Sequence, residues 1–154
     1  AYPTTVKFDK SDLSVFLNNT FFNSLPEDLK RVIKERTFKT AIGISDTGLV
    51  ENRCKIWIPR IYEVTGTKMT YSFATEDATC KQFPIFPTTA SRIKNLGLTG
   101  AATDWITCSP CNYIGGATGG YVNGFKQSGV YSENIFNYST KIGILPCFIM
   151  KADS

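Results

Sequence analysis

Histidine is absent from this sequence. That excludes His-based general acid–base catalysis, Ser-His-Asp and Cys-His nucleophile systems, and every metal site that needs an imidazole. No stretch follows Gly-x-x-x-x-Gly-Lys-Ser/Thr or Gly-x-Gly-x-x-Gly, so a phosphate-cradling loop has no support. No apolar run approaches the roughly 20 residues of a membrane-spanning helix, and bilayer insertion is not expected. A basic-then-apolar leader does not open the chain, which a mature or trimmed protein would share. A dense basic stripe is missing too. The 17 Lys and Arg against 13 Asp and Glu leave a net charge of +4, and the basic residues are spread out. The densest stretch, residues 30–39, is interleaved with Glu35 and reads as a solvated helix surface, so nucleic-acid binding is not expected.

What is present is the composition of one folded domain. The 154 residues are 42% hydrophobic and 13% aromatic, enough for a core and for a contact surface. A single domain is expected over residues 1–154, alone or within a longer protein. Five cysteines (Cys54, Cys80, Cys108, Cys111 and Cys147) cannot all pair within one chain. They read as free, packing thiols of a protein made in a reducing compartment, with room for one pair. No cofactor is expected.

Along the chain the pattern runs from helix to strand. Ser11 caps a helix in which Leu13, Phe16, Leu17 and Phe21 recur at helical spacing. Ser24 with Glu27 makes a capping box for a second helix whose buried stripe is Leu29, Val32 and Ile33. Residues 37–44 are rich in β-branched side chains and end at the turn signal Asp46-Thr47-Gly48. Residues 54–58 alternate as a strand would and stop at Pro59. Residues 65–86 are irregular. Thr88 or Thr89 caps a short helix through Ile93 and Leu96, with Gly97 as its stop. Short strands are expected over residues 120–125 and 142–150.

The last third differs in kind. Between Cys111 and Thr140 only Lys126 and Glu133 are charged, and the stretch holds half the glycines and four of the seven tyrosines. Tyr, Ser, Gly and Asn give contact area and adaptable hydrogen bonds at small entropic loss, as in antibody loops. The same composition also fits Gly-rich connections with half-buried tyrosines in a small β domain, and the residues alone leave both open.

Several segments resemble a known family. Trp105-Ile106-Thr107-Cys108-Ser109-Pro110 resembles the Trp-Trp-Leu-Arg-Ser-Pro signature of an uncharacterised domain family of Firmicutes and their phages. Tyr121-Val122-Asn123-Gly124 resembles its Tyr-Val-Asn-x-x-Gly strand and turn. Gly143-Ile144-Leu145-Pro146-Cys147-Phe148 resembles its closing Gly-Val-Arg-Pro-Ala-Leu. Ser14-Val15-Phe16-Leu17-Asn18 with Phe21-Phe22 is similar to its Arg-x-Trp-Leu-Asn and Phe-Tyr, and Lys55-Ile56-Trp57-Ile58-Pro59 stands where it has Lys-Ile-Phe-Leu-Leu. That family is similar to the C-type-lectin-like group, which includes formylglycine-generating-enzyme-like domains and phage receptor-binding proteins. The resemblance implies an α+β, C-type-lectin-like fold: two N-terminal helices packed on a twisted, mostly antiparallel sheet, with long loops forming a binding face. Cys108 and Leu145 replace the family's two Arg, and Cys147 its Ala. With the motifs on neighbouring strands, Cys108 and Cys147 are expected to be buried and close enough to approach each other.

The chemistry available is thin. Cys108-Ser109-Pro110-Cys111 is a Cys-x-x-Cys sequence, but a strand-like segment precedes it and no βαβ pattern surrounds it. Cys54 and Cys80 stand alone, unlike the paired ligands of a structural zinc site. The resemblance makes a copper oxidase thinkable, on thiols alone. Glycoside hydrolysis needs two facing carboxylates, and Asp104 and Glu133 are the only acids near the binding face. The Glu-Pro-Asn, Gln-Pro-Asp and Trp-Asn-Asp calcium signatures of true C-type lectins are missing.

The expectation is a non-enzymatic module on a virion or bacterial cell surface, binding a host-surface glycan or protein through Asn112, Tyr113, Tyr121, Asn123, Phe125, Tyr131, Asn134, Asn137 and Tyr138. About half of these are expected to be structural, Tyr121 and Phe125 foremost, because both fall on a strand pattern. The runner-up is a structural virion component whose polar aromatic loop packs on other virion subunits or on copies of itself. A third reading is a cysteine-dependent enzyme, which needs two thiols within metal-binding reach beside a cleft.

Overall fold

A computed structural model describes residues 7–41, 48–67, 79–98, 100–111, 121–132 and 142–151. The chain enters through a 3-10 turn, Phe8–Lys10, whose end is tied by Ser11. The Ser11 Oγ accepts from the Ser14 N–H at 3.2 Å, the expected cap. Helix α1 (Asp12–Phe16) continues through a π turn (Leu17–Phe21) into α2 (Phe22–Ser24). The stripe facing the core is Leu13, Leu17 and Phe21. Phe16, expected on that stripe, is 47% exposed. At about 100° per residue it falls a quarter-turn or more from Leu17, off the face that the i, i+4 steps define.

Ser24 does not cap the next helix. Its hydroxyl donates to Phe21 O at 2.7 Å, closing the preceding helix instead. Pro26 takes the cap position of α3 (Glu27–Val32), which ends one residue earlier than its stripe predicts. Ile33 is buried, but as the start of strand β1 (Ile33–Lys34), paired antiparallel with β10 (Ile149–Met150).

Strands β2 (Arg36–Thr40) and β3 (Val50–Cys54) form an antiparallel pair with Arg36 opposite Cys54 and Thr40 opposite Val50. Period-two alternation turns Phe38, Thr40, Asn52 and Cys54 inward. Of the strand expected over 37–44 and its turn, residues 42–47 lie outside the described residues. The strand expected over 54–58 is not one: Ile56, Trp57 and Ile58 are all buried, which a one-sided strand does not allow. This segment touches the C-terminal chain through a single bridge, Trp57 to Cys147. Asn18 fastens it to the helical layer, its Oδ1 accepting from Lys55 N and Ile56 N at 2.9 Å each and its Nδ2 donating to Ile56 O at 2.8 Å.

Helix α4 (Ile61–Thr65), which was not expected, stops at Gly66 in the left-handed region with φ +73°. The helix expected through Ile93 and Leu96 is instead a 3-10 turn (Ala90–Arg92) followed by β4 (Lys94–Asn95), paired with β5 (Ala102–Thr103). Thr88 does act as a cap, its Oγ1 accepting from Ser91 N at 3.3 Å.

The largest sheet has the order β8-β7-β6-β9, from β6 (Trp105–Cys111), β7 (Tyr121–Phe125), β8 (Tyr131–Ser132) and β9 (Gly143–Ile144). Among the described pairings only β6 with β9 is parallel. The architecture is therefore mixed α+β, with a few short helices and several small, mostly antiparallel sheets. One apolar cluster joins the helical layer to the sheets around Leu17, Phe38, Ile56 and Trp57. A second holds Ile61, Val64, Phe86, Trp105 and Phe125 beneath α4.

Candidate functional site

The sheet that should support a recognition surface is built around a bulge. Ile106 faces Gly124 and Pro110 faces Val122, so Thr107, Cys108 and Ser109 together oppose Asn123. The extra length is buried, and its polar groups are used internally. The Thr107 hydroxyl donates to Asn123 O at 2.8 Å, and the Asn123 Nδ2 reaches Ser109 O at 3.4 Å. The Ser109 hydroxyl accepts from Ile61 N at 2.9 Å and so caps α4, while Cys108 N donates to Pro59 O at 3.0 Å. A Thr-Cys-Ser run in a strand thus serves as a staple.

Asn123 and Phe125, both proposed as contact residues, are wholly buried. Asn123 is drawn inward because its amide is the partner of the bulge. Phe125 stacks on Trp105 at 4.7 Å, and Trp105 on Phe86 at 5.9 Å. Neither side chain meets solvent, which corrects their assignment to the binding face and agrees with the expectation that Phe125 is core. Tyr131 is half-buried: its ring edge packs on Phe125 at 6.2 Å and its hydroxyl donates to Asn123 Oδ1 at 2.6 Å. Tyr121 opens β7 opposite Cys111, and its side chain lies outside the described residues. So do Asn112, Tyr113, Asn134, Asn137 and Tyr138. β6 and β8 are both antiparallel to β7, with Cys111 opposite Tyr121 and Ser132 opposite Gly124.

A second locus was missed in the sequence. Glu63, on the second turn-face of α4, is 1% exposed, and its Oε1 is met by Arg36 Nη2 and by Arg60 Nη2, the latter at 2.9 Å. Its Oε2 accepts from Arg60 N at 2.9 Å, half of a capping box. Arg60 Nη1 also donates to Lys39 O at 3.0 Å. Burial alone would lower the Arg60 pKa, but its hydrogen bond to Glu63 and the attraction of that charge outweigh burial and raise it. The Arg36 guanidinium sits 4.5 Å from the Trp57 ring centroid. A cavity of about 550 Å³ adjoins these groups and is lined also by Lys81, Gln82 and Phe83. The readable signal was Arg60-Ile61-Tyr62-Glu63 between Pro59 and Gly66: a charged i, i+3 pair in an otherwise apolar, proline-to-glycine segment.

Cys54 and Cys147 are not poised as nucleophiles. Burial, reinforced by the Asp9 charge, pushes the Cys54 thiol up to about 12. Burial, reinforced by Glu63, does the same to Cys147. Cys108 is buried as expected, whereas Cys147 is only half-buried. Cys108 lies inside the strand bulge and opens no helix, so the thioredoxin-like reading fails on geometry. Among the described residues, no three Cys, Asp or Glu side chains converge as metal ligands would.

No curated protein and no solved structure matches the chain. One family does, across residues 3–152, nearly the whole length. The chain belongs to the family described as a domain of unknown function (DUF6273).

Proposed function

We propose that this domain is a non-enzymatic binding module of C-type-lectin-like fold, displayed on a virion or bacterial cell surface. Its ligand is a host-surface glycan or protein, held by the uncharged tyrosine and asparagine side chains of residues 112–120 and 133–141: Asn112, Tyr113, Asn134, Asn137 and Tyr138. The observation that supports this reading is that β6 and β8 run in the same direction, each antiparallel to β7, in a sheet whose bulge polar groups are spent internally. Tyr131 and Asn123 tie β8 to β7, and the Trp105–Phe125 stack stiffens the strands beneath. A rigid scaffold supporting polar aromatic segments is the arrangement that loop-based recognition uses. The raised pKa values of Cys54 and Cys147 keep those two thiols protonated near neutral pH.

The test is a glycan-array and host-cell binding screen of the wild type against Tyr113→Ala, Asn137→Ala and Tyr138→Ala. Each variant should keep the wild-type melting temperature and lose at least about tenfold in affinity, the worth of one good contact. Unchanged binding by all three would remove the site.

One observation favours a second reading, a structural virion component. Ile93, Leu96, Leu98 and Val130 are exposed apolar side chains, and Leu98 is fully so. Sedimentation equilibrium separates the two: a symmetric oligomer that shields these residues favours the structural role, and a monomer favours ligand recognition.

A further inference from the structure

We propose that the cavity between α1, the π turn and the end of β3 binds a small zwitterion, an α-amino acid with an apolar side chain. The inference goes beyond the recognition role above and uses none of its residues. It begins with the side chains that close the end of β3. The Asp9 Oδ2 accepts from Arg53 N at 3.0 Å, and the Asn18 Oδ1 accepts from Lys55 N at 2.9 Å. Asp9 and Asn18 are thereby fixed on neighbouring stretches of backbone, and both line a cavity of about 310 Å³.

Asp9 carries an unmet demand. Its side chain is only 8% exposed, and its Oδ2 also meets Lys7 Nζ at 3.7 Å. Its Oδ1 is buried with no partner among the described residues. A buried carboxylate oxygen without a donor is unfavourable, and an ammonium is the donor that relieves it most strongly. At the rim Arg53 Nε and Glu35 Oε1 stand 2.7 Å apart and satisfy each other. Lys55 differs: it is exposed, its Nζ lies 4.6 Å from the Phe22 ring centroid, and it meets no carboxylate among the described residues. That cation decides between a simple amine and an amino acid. An amine drawn to Asp9 would be repelled by Lys55 in the same cavity, whereas an amino acid offers Lys55 its own carboxylate. Val15 and Phe22 supply apolar wall for a hydrocarbon side chain, and the volume lies at the small end of ligand sites.

The experiment follows binding to the intact domain by saturation-transfer NMR, with L-leucine as probe. Two truncated forms stand beside it: isoamylamine, which lacks the carboxylate, and isocaproate, which lacks the ammonium. Saturable transfer to leucine is expected, with each truncated form at least about tenfold weaker. Asp9→Asn keeps an acceptor for the Arg53 N–H but loses the charge, and should weaken leucine by about tenfold. Lys55→Gln changes only an exposed side chain; it should weaken leucine severalfold and leave isoamylamine no weaker. If Asp9→Asn lowers the melting temperature, Lys55→Gln alone decides. No saturable transfer at about 10 mM leucine overturns the proposal. So does an amine or an acid that binds as tightly as leucine, and so does a leucine affinity untouched by either substitution in stably folded protein.

Discussion

Replacing Glu63 by Gln should be the most damaging single-atom exchange available in this domain. The side chain is 1% exposed and accepts from three N–H donors, two of them on guanidiniums and one the backbone N–H of Arg60. Gln preserves the shape but removes the charge, leaving two buried guanidiniums facing an amide that also carries its own donors. Breaking a buried ion pair from one side costs about 3–5 kcal/mol, because the remaining charge stays desolvated and unmatched. Against a total stability of about 5–15 kcal/mol, that is about a fifth or more of the whole. With an m value of about 2 kcal/mol/M in urea, the midpoint should fall by roughly 2 M. Arg36→Met instead keeps an unbranched chain on Trp57 and leaves the Arg60–Glu63 ion pair in place. It should therefore cost about 1–2 kcal/mol at most. Equilibrium urea unfolding of both variants, followed by tryptophan fluorescence, measures the difference directly. A Glu63→Gln midpoint within about 0.5 M of wild type, or an Arg36→Met loss as large as that of Glu63→Gln, would refute the assignment of Glu63 as the hub of the buried ion pairs.

Two further outcomes follow from backbone and thiol geometry. Gly129→Ala should destabilise strongly, because φ is +78° there and an added Cβ would lie 2.1 Å from Thr89 O. Gly97→Ala, with φ +63° and open space around the Cβ, should cost only about 1 kcal/mol; equal thermal shifts for the two would contradict the clash. Cys54 and Cys147 are raised to about 12 from an ordinary 9.0, so the unfolded state releases their protons first. Stability is fully present below pH 9 and is lost as pH climbs from there toward 12, by about 1.4 kcal/mol per thiol near pH 10. Urea melts at about pH 8 and about pH 10 should show the loss in wild type and about half of it in Cys54→Ala; the same slope in both would exclude the thiol as its origin.

The sequence made the local features legible and hid those set by tertiary partners. Ser11 as a cap, three of the four stripe residues (Leu13, Leu17 and Phe21) and a strand in the first half of residues 37–44 are written in neighbours a few residues apart, whereas the burial of Cys108 followed from the family resemblance. Ser24 looked like a cap because it stands three residues before Glu27, yet its hydroxyl had a nearer acceptor in the helix it ends. The 54–58 segment looked like a strand because β-branched and aromatic residues recur there, but burial on every side is a property of what surrounds it. Asn123 misled for a similar reason. An asparagine among tyrosines reads as a polar contact, and only the β6 bulge, which no local pattern announces, gives it a buried partner. The Arg36–Glu63–Arg60 group joins residues 27 positions apart, beyond any spacing rule for a helix or a strand.

A division of labour follows from where the singled-out motifs lie. Asn18, from the Val15-Phe16-Leu17-Asn18 segment, fastens the helical layer to residues 55 and 56. Ser109, from the Trp105–Cys111 strand, caps α4, and Asn123 fills the bulge opposite it. Leu145 packs against the cluster beneath α4 and Cys147 bridges to Trp57. Each of these contacts is an interior fastening. Under the proposed recognition role, contact with a ligand falls to Asn112, Tyr113, Asn134, Asn137 and Tyr138, which lie outside these fastenings.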